Sequence, residues 1–308
     1  MQPLEGIHHI TCITGDAARN VDFYVGVLGL RLAKKTVNQD DPTVYHLFYG
    51  DEHGSPGHDL TFFEYPGARR GRAGAGMIHQ IAFRVGSEAS LDFWAERLGG
   101  RGFAVERADG SLRFHDPEGL GLELVVDQSG DEPLIANAPD VPAEHALRGF
   151  AGVRAYGDPN RTARVLEQVL GFQRRDDAAW EVRGSRRGGT YDIDPAPAEH
   201  GLAGAGTVHH VAFATEMAEQ EEWQQHVART GLGPTPVIDR FYFRSIYFRE
   251  PGGVLFELAT MGPGFTADQP EEELGSTLAL PPFLEPQRAQ IEAVLTPLPD
   301  PRAARAGA

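Results

Sequence analysis

The stretch Gly6-Ile7-His8-His9-Ile10-Thr11 returns near the other end of the chain as Thr207-Val208-His209-His210-Val211-Ala212. Each is a short apolar strand interrupted by two adjacent histidines. Side chains alternate across a strand, so one imidazole of each pair faces one side of the sheet and its neighbour the other. If both strands lie in one curved sheet, His9 and His210 can converge in its cavity. A third stretch fits them: Gly253-Val254-Leu255-Phe256-Glu257-Leu258, with the carboxylate of Glu257 amid apolar residues. Two histidines and one carboxylate form the facial set that holds ferrous iron with open coordination positions.

The same opening occurs four times. Met77-Ile78-His79-Gln80-Ile81-Ala82 and Gly149-Phe150-Ala151-Gly152-Val153-Arg154 fall between the two histidine strands. The period is roughly 60 to 70 residues, long enough for one supersecondary unit per repeat. A helix signal follows each opening. Asp16, Ser87 and Asp158 are candidate N-caps for the first three helices, with Pro159 in the first turn of the third, and the fourth begins near Thr215. Gly29, Gly99, Gly171 and Gly231 are candidate stops. Short strand-like runs come next, among them Thr43 to Tyr49, Asp59 to Tyr65, Leu112 to His115, Gly121 to Val126, Phe241 to Arg249 and Val254 to Thr260. The unit therefore reads as strand, helix, three strands. One such unit leaves a concave face that a second must cover. The fold class is α+β, with four βαβββ modules forming two barrel-like domains. Modules one and two occupy residues 1–135, and Asp131 to Pro142 is a linker rich in Pro, Asp and Asn. Modules three and four occupy 143–262. A C-terminal tail, 263–308, carries one short amphipathic helix at Pro286 to Leu295, expected to pack on the outside rather than to act as a flap.

Comparing slots between modules narrows the site. The position of His9 is filled by Gln80, Gly152 and His210 in the other three modules. Glycine has no side chain to ligate with, and amide oxygen is a poor ligand for a borderline metal. The late-strand slot holds Thr61 in module one, Glu123 in module two and Glu257 in module four; in module three its register is unclear. Only modules one and four can together supply two imidazoles and a carboxylate. One metal site is expected, joining the two ends of the chain, with Glu123 as a structural remnant.

Composition bounds the rest. The chain has 308 residues and a formal net charge of −16, which argues against nucleic acid or an anionic membrane as partner. No stretch is long and apolar enough for a membrane span, and the N-terminus lacks a signal pattern, so a cytoplasmic location is the default. The single cysteine, Cys12, excludes an internal disulfide and reads as a small buried apolar residue. A homo-oligomer is left open. His46, His53 and His58 lie near Asp51, Glu52 and Asp59, but the intervening Gly/Pro turn fixes no ligand geometry.

The four modules, the GIHHIT opening and the GGVLFEL strand resemble the vicinal oxygen chelate superfamily of glyoxalases, bleomycin-resistance proteins and extradiol dioxygenases. Within it the chain is most similar to the ring-cleaving dioxygenases of hydroquinones, through YHLFYGDEHGSPG, HALRGF and RFYFRSIYFREPGG as well. The resemblance selects His9 and His210 as the ligating member of each pair. It places His8, Thr11, His209, Arg240 and Tyr247 around the metal and substrate. It implies Fe(II), with Mn(II) as the alternative, and a small aromatic diol and O₂ as reactants. His209 is the expected acid and base, Tyr247 a hydrogen-bond donor, and Arg240 a stabiliser of developing negative charge or else part of a surface ion pair. Glyoxalase-type isomerases in the superfamily use four protein ligands. Thr61 stands where the second carboxylate would be, and Glu64 has the opposite parity. Three ligands favour a dioxygenase over a glyoxalase-type lyase or isomerase; a catechol extradiol enzyme is the other alternative. Strict alternation would turn His8 and His209 away from the cavity unless a bulge intervenes.

Overall fold

In the computed structural model, which describes residues 1–302, the chain folds as four successive βαβββ modules. Module one runs β1 (Ile7–Thr14), α1 (Ala17–Val21, continued by a π-helical turn, Asp22–Val27), β2 (Arg31–Asn38), β3 (Asp41–Gly50) and β4 (Asp59–Glu64). Module two runs β5 (Met77–Val85), α2 (Glu88–Gly100), β6 (Val105–Ala108), β7 (Ser111–His115) and β8 (Gly121–Val126). Module three runs β9 (Phe150–Tyr156), α3 (Pro159–Arg164, continued by a π-helical turn, Val165–Val169), β10 (Gln173–Asp176), β11 (Ala179–Arg183) and β12 (Gly188–Asp194). Module four runs β13 (Thr207–Thr215), α4 (Gln220–Arg229), β14 (Ile238–Asp239), β15 (Arg244–Arg249) and β16 (Leu255–Thr260).

Local signals act where the sequence puts them. Asp16, Ser87 and Asp158 each accept a hydrogen bond from a backbone N–H in the first turn of their helix, satisfying donors that have no partner within the helix. In α2, Leu91, Trp94 and Leu98 share one face and are buried. Truncating Trp94 there would cost about 3–5 kcal/mol. The fourth helix starts later than Thr215, which is the last residue of β13. Its hydroxyl instead donates to the Gln220 side chain at 2.7 Å, at the start of α4. The run Phe241 to Arg249 is not one strand. Phe241 has φ of 68°, a left-handed conformation that interrupts extended backbone, and β15 begins only at Arg244.

The strands form two eight-stranded sheets. The first has the order β14-β15-β16-β13-β1-β4-β3-β2, and the second β10-β11-β12-β9-β5-β8-β7-β6. Modules one and four thus share one sheet and modules two and three the other. In each, the two opening strands pair antiparallel at the centre: β1 with β13, and β5 with β9. The last strand of every module returns parallel to its opening strand. The main hydrophobic core draws on strands of both sheets and on the helices. Cys12 lies within it, and burial raises its thiol well above the usual range.

The C-terminal tail belongs to the first sheet. Phe265 and Leu274 pack with Ala33, Phe48, Tyr242 and Phe243, where β2 and the β14–β15 connection approach each other. The two lysines of the chain anchor it. Lys34, fully buried, donates to Phe265 O, Asp268 and Gln269; Lys35 donates to Ser276 O and Leu298 O. Gly275 lies so close to β2 that an added Cβ would sit 1.7 Å from the Leu32 carbonyl oxygen. The amphipathic stretch forms α5 (Arg288–Val294), which buries Ile291 and packs against β3. Among the described residues no helix is long and apolar enough to cross a membrane.

Candidate metal centre

His9, His210 and Glu257 meet on the first sheet. Nε2 of His9 and Nε2 of His210 are 3.3 Å apart, and Oε2 of Glu257 lies 3.1 Å from the first and 2.9 Å from the second. All three residues are buried. Among the described residues they form the one cluster of three or more histidine, cysteine or carboxylate groups close enough to share an ion. The partnership follows from strand order: β1 and β13 are neighbours, and β16 lies beside β13, placing Glu257 opposite Ala212.

The paired histidines are resolved by two bulges. Between β1 and β13 the register shifts once between Ile7 and His9, and again where Thr11 pairs with His210 but Cys12 with Val208. His8 and His209 are the extra residues. A bulge breaks the strict two-residue alternation, so each pair of imidazoles can meet. His8 Nδ1 is 2.9 Å from His9 Nδ1, and His209 Nδ1 is 2.8 Å from His210 Nδ1.

The hydrogen bonds then fix the tautomers. His8 Nε2 reaches the carbonyl oxygen of Thr260 at 3.1 Å, so it carries a proton and donates. Burial pushes this imidazole down to about 3, keeping it neutral, so its Nδ1 is an acceptor. His9 Nδ1–H donates to it, so in the neutral ring the lone pair is on His9 Nε2. That nitrogen points at Glu257, neither of whose oxygens accepts a protein hydrogen bond of good geometry. Lone pairs and a buried negative charge converging without a donor are the arrangement a divalent cation satisfies.

The other expected residues divide into two sets. His209, Arg240 and Tyr247 line a cavity of about 330 Å³ that opens onto His9 and His210. Partial burial, and then the neighbouring His210, lower the His209 imidazole to about 4. Tyr247 stands 5.8 Å from His210, ring to ring. Arg240 packs over the Tyr247 ring and is tied to Asp40 by two bonds of 3.0 and 2.9 Å, not to Asp239. His8 and Thr11 do not line the cavity. His8 buttresses His9 from behind, and Thr11 accepts from the Thr61 hydroxyl at 2.9 Å. Glu64 accepts from the backbone of Ala17, away from the ligand atoms.

Tyr242 and Phe243 line the cavity, while Phe241 does not. The largest omission from the sequence reading is His46. It lines the cavity with its ring between Phe48 and Phe63, at centroid distances of 4.0 and 4.4 Å. His53 pairs with Glu271 at the surface and His58 with Leu134 O in the interior, so the three histidines do not assemble. Alternation along β3 was the available signal: Tyr45, Leu47 and Tyr49 join the main core, leaving His46 and Phe48 on the concave face.

The chain matches the family model for the glyoxalase/bleomycin resistance protein/dioxygenase superfamily over residues 6–124 and 149–258. It is 41% identical to "Putative ring-cleaving dioxygenase MhqA" of Bacillus subtilis (strain 168), over 96% of this chain and 99% of that one. It is 36% identical to the chlorohydroquinone/hydroquinone 1,2-dioxygenase of Sphingobium indicum, over 92% and 93%. A crystal structure from Bacillus subtilis subsp. subtilis str. 168, described as a putative dioxygenase, superposes with a TM-score of 0.89 at 41% identity, covering 97% of this chain and 98% of that one. Glyoxalase I from Zea mays shares the fold at a TM-score of 0.54 and 17% identity, over 83% of this chain and 92% of that one.

Proposed function

The chain belongs to the glyoxalase/bleomycin resistance protein/dioxygenase superfamily, among its ring-cleaving dioxygenases, and we propose that it is an Fe(II)-dependent enzyme opening the ring of a hydroquinone with O₂. The observation that carries this reading is the ligand count. Glu257 faces Ala212 across β16 and β13, and the equivalent pair on β4 and β1 is Thr61 with Thr11. Thr61 is already bonded to Thr11 and His46. A fourth protein ligand is thus absent from the slot that a four-ligand isomerase would fill. His9, His210 and Glu257 would hold the metal, with Mn(II) as the alternative ion. Bound there, it would supply open coordination positions for a diol oxygen and O₂.

The protein's own groups do the rest. His8 sets the tautomer of His9. If His210 ligates through Nε2, its Nδ1–H donates to His209 Nδ1, and His209 presents Nε2–H to the cavity. That makes His209 a hydrogen-bond donor in this state, suited to stabilising negative charge on a substrate oxygen more than to taking the first phenolic proton. Tyr247 keeps its proton, because burial raises its phenol above the usual range, and it serves as a second donor. Arg240 adds positive charge beside Tyr247. Phe48, Phe63 and Phe243 give the ring apolar walls and exclude water. Anaerobically purified protein loaded with Fe(II) is expected to consume O₂ with hydroquinone faster than with catechol. Preference for catechol would replace the substrate assignment, and no uptake with either would overturn the reading.

A further inference from the structure

A hydroquinone carries its hydroxyls on opposite ends of the ring, so only one of them can reach a metal held by His9, His210 and Glu257. A catechol presents both to the same ion. An enzyme for para-diols therefore needs a separate polar group at the far end of the ring, on a wall that is otherwise apolar.

His46 meets this requirement. It stands on β3, on the arm of the first sheet opposite β15 and Tyr247. Its Nε2 is 2.8 Å from Thr61 Oγ1, and Thr61 Oγ1 in turn donates to Thr11 Oγ1 at 2.9 Å. The Thr61 proton is committed to Thr11, so Thr61 can only accept from His46 Nε2–H. The other nitrogen of a neutral imidazole is then a lone-pair acceptor. Among the described residues no protein group hydrogen-bonds His46 Nδ1, and the ring lines the cavity between Phe48 and Phe63. Burial lowers this imidazole well below the usual range, which keeps it neutral.

We propose that His46 Nδ1 accepts the hydrogen bond of the substrate's second hydroxyl, the one not bound to the metal, and so selects para-diols. This rests on the function proposed above. Thr61 and Thr11 are positioning residues: they hold the His46 ring and fix which nitrogen is free. The slot that holds a carboxylate ligand in module four has become, in module one, the support for a substrate-binding group.

The test uses the full chain loaded with Fe(II) under anaerobic conditions and two ligands, hydroquinone and 4-methoxyphenol. Both have one hydroxyl for the metal, but the second oxygen of 4-methoxyphenol cannot donate. The His46→Gln variant keeps a donor at the ε position for Thr61 and loses the δ acceptor; His46→Phe loses both and keeps the aromatic wall. Wild type should bind hydroquinone more tightly than 4-methoxyphenol. In His46→Gln the Kd for hydroquinone should rise roughly tenfold, the size of one lost hydrogen bond, with 4-methoxyphenol affinity and iron content unchanged. His46→Phe should lose the same preference. Equal weakening of both ligands, or no change for hydroquinone, overturns the proposal. If wild type turns hydroquinone over without preferring it to 4-methoxyphenol, the role of His46 falls and the functional reading stands. If wild type binds neither ligand and takes up no O₂, both fall together.

Discussion

The two sheets of this protein are built alike and differ in where their charges end. Both have the same strand order by module. Both carry two bulges at the central seam, at His8 and His209 in the first sheet and at His79 and Ala151 in the second. The ligand slots correspond: His9, His210, Thr61 and Glu257 against Gln80, Gly152, Glu123 and Asp192. Strand register supplies the last of these, pairing Arg154 with Asp192 as Ala212 pairs with Glu257. In the second sheet the carboxylates at and beside these slots have partners within the protein. Glu123 accepts from Gln80 at 2.9 Å and pairs with Arg113 at 2.9 Å; Arg154 spans Asp192 and Asp194; His79 bonds Asp194 at 2.8 Å. In the first sheet Glu257 faces two imidazoles, and neither of its oxygens accepts a protein hydrogen bond. One module pair has built in its own cations, and the other has left a place for one. The same βαβββ frame thus yields a self-neutralised sheet and one that leaves Glu257 without a protein hydrogen bond, according to a handful of residues at the seam.

The largest expected effect comes from making the first sheet resemble the second. Replacing His210 or Glu257 with Ala should abolish iron retention and reduce oxygen uptake to background, measured by metal analysis and an oxygen electrode. Normal iron content in both variants would remove the assignment of the site. Next in size is loss of a buttress. His8→Ala removes the acceptor that fixes the His9 tautomer. It should weaken metal binding about 10- to 100-fold, read as a metal titration, while the fold persists by circular dichroism.

A smaller effect is expected from breaking the second sheet's internal neutralisation. Arg154→Ala leaves Asp192 and Asp194 without their arginine. The groups are partly solvated, so the cost should be about 1 kcal/mol or slightly more, with the iron content unchanged. The sign with pH follows from Asp192, whose carboxyl is pushed up to about 6, by burial first and then against the pull of Arg154. A raised carboxyl costs stability while ionised, and the cost is relieved as pH falls below about 6. Asp194 is shifted the other way: burial raises it, but Arg154 and His79 hold it below its usual value. Its contribution is present at neutral pH and lost on acidification. The deficit of Arg154→Ala should therefore be greatest near pH 7 and shrink as Asp192 protonates below about pH 6, while the part that comes from Asp194 persists until the pH falls below the usual carboxylate range. A deficit that grows on acidification would contradict this. The smallest effect belongs to Asp40→Ala, which frees Arg240 at the cavity mouth. Because Asp40 is exposed, its stability change should be below about 1 kcal/mol, with any consequence appearing in KM rather than Tm.

Much of this was legible in the sequence because it is periodic. The four openings, the caps of the first three helices and the strand runs other than Phe241 to Arg249 follow local rules, and those rules hold in the structure. Even the pairing of the first and last modules could be argued, because Gln80 and Gly152 empty the alternative slots. What escaped has a common physical character: it depends on contacts between distant segments or on departures from regular strand geometry. A bulge leaves no composition signal, so the orientation of His8 and His209 was undecidable. His46 looked like one of three histidines around a turn, and only tertiary contact with Thr61 and the cavity distinguishes it from His53 and His58. Lys34 and Lys35 carried no functional reading, yet both are buried as anchors of a tail that packs where the edge of β2 approaches the β14–β15 connection. Phe241 breaks a run that composition alone reads as one strand.

The central claim is a single cation site in the first sheet and a self-neutralised remnant in the second. The most direct measurement is the iron stoichiometry of anaerobically reconstituted protein for wild type, Glu257→Gln and Glu123→Gln. The account predicts one Fe(II) per chain in wild type, none in Glu257→Gln and one in Glu123→Gln. Two irons per chain in wild type, or loss of the iron in Glu123→Gln with retention in Glu257→Gln, would contradict it.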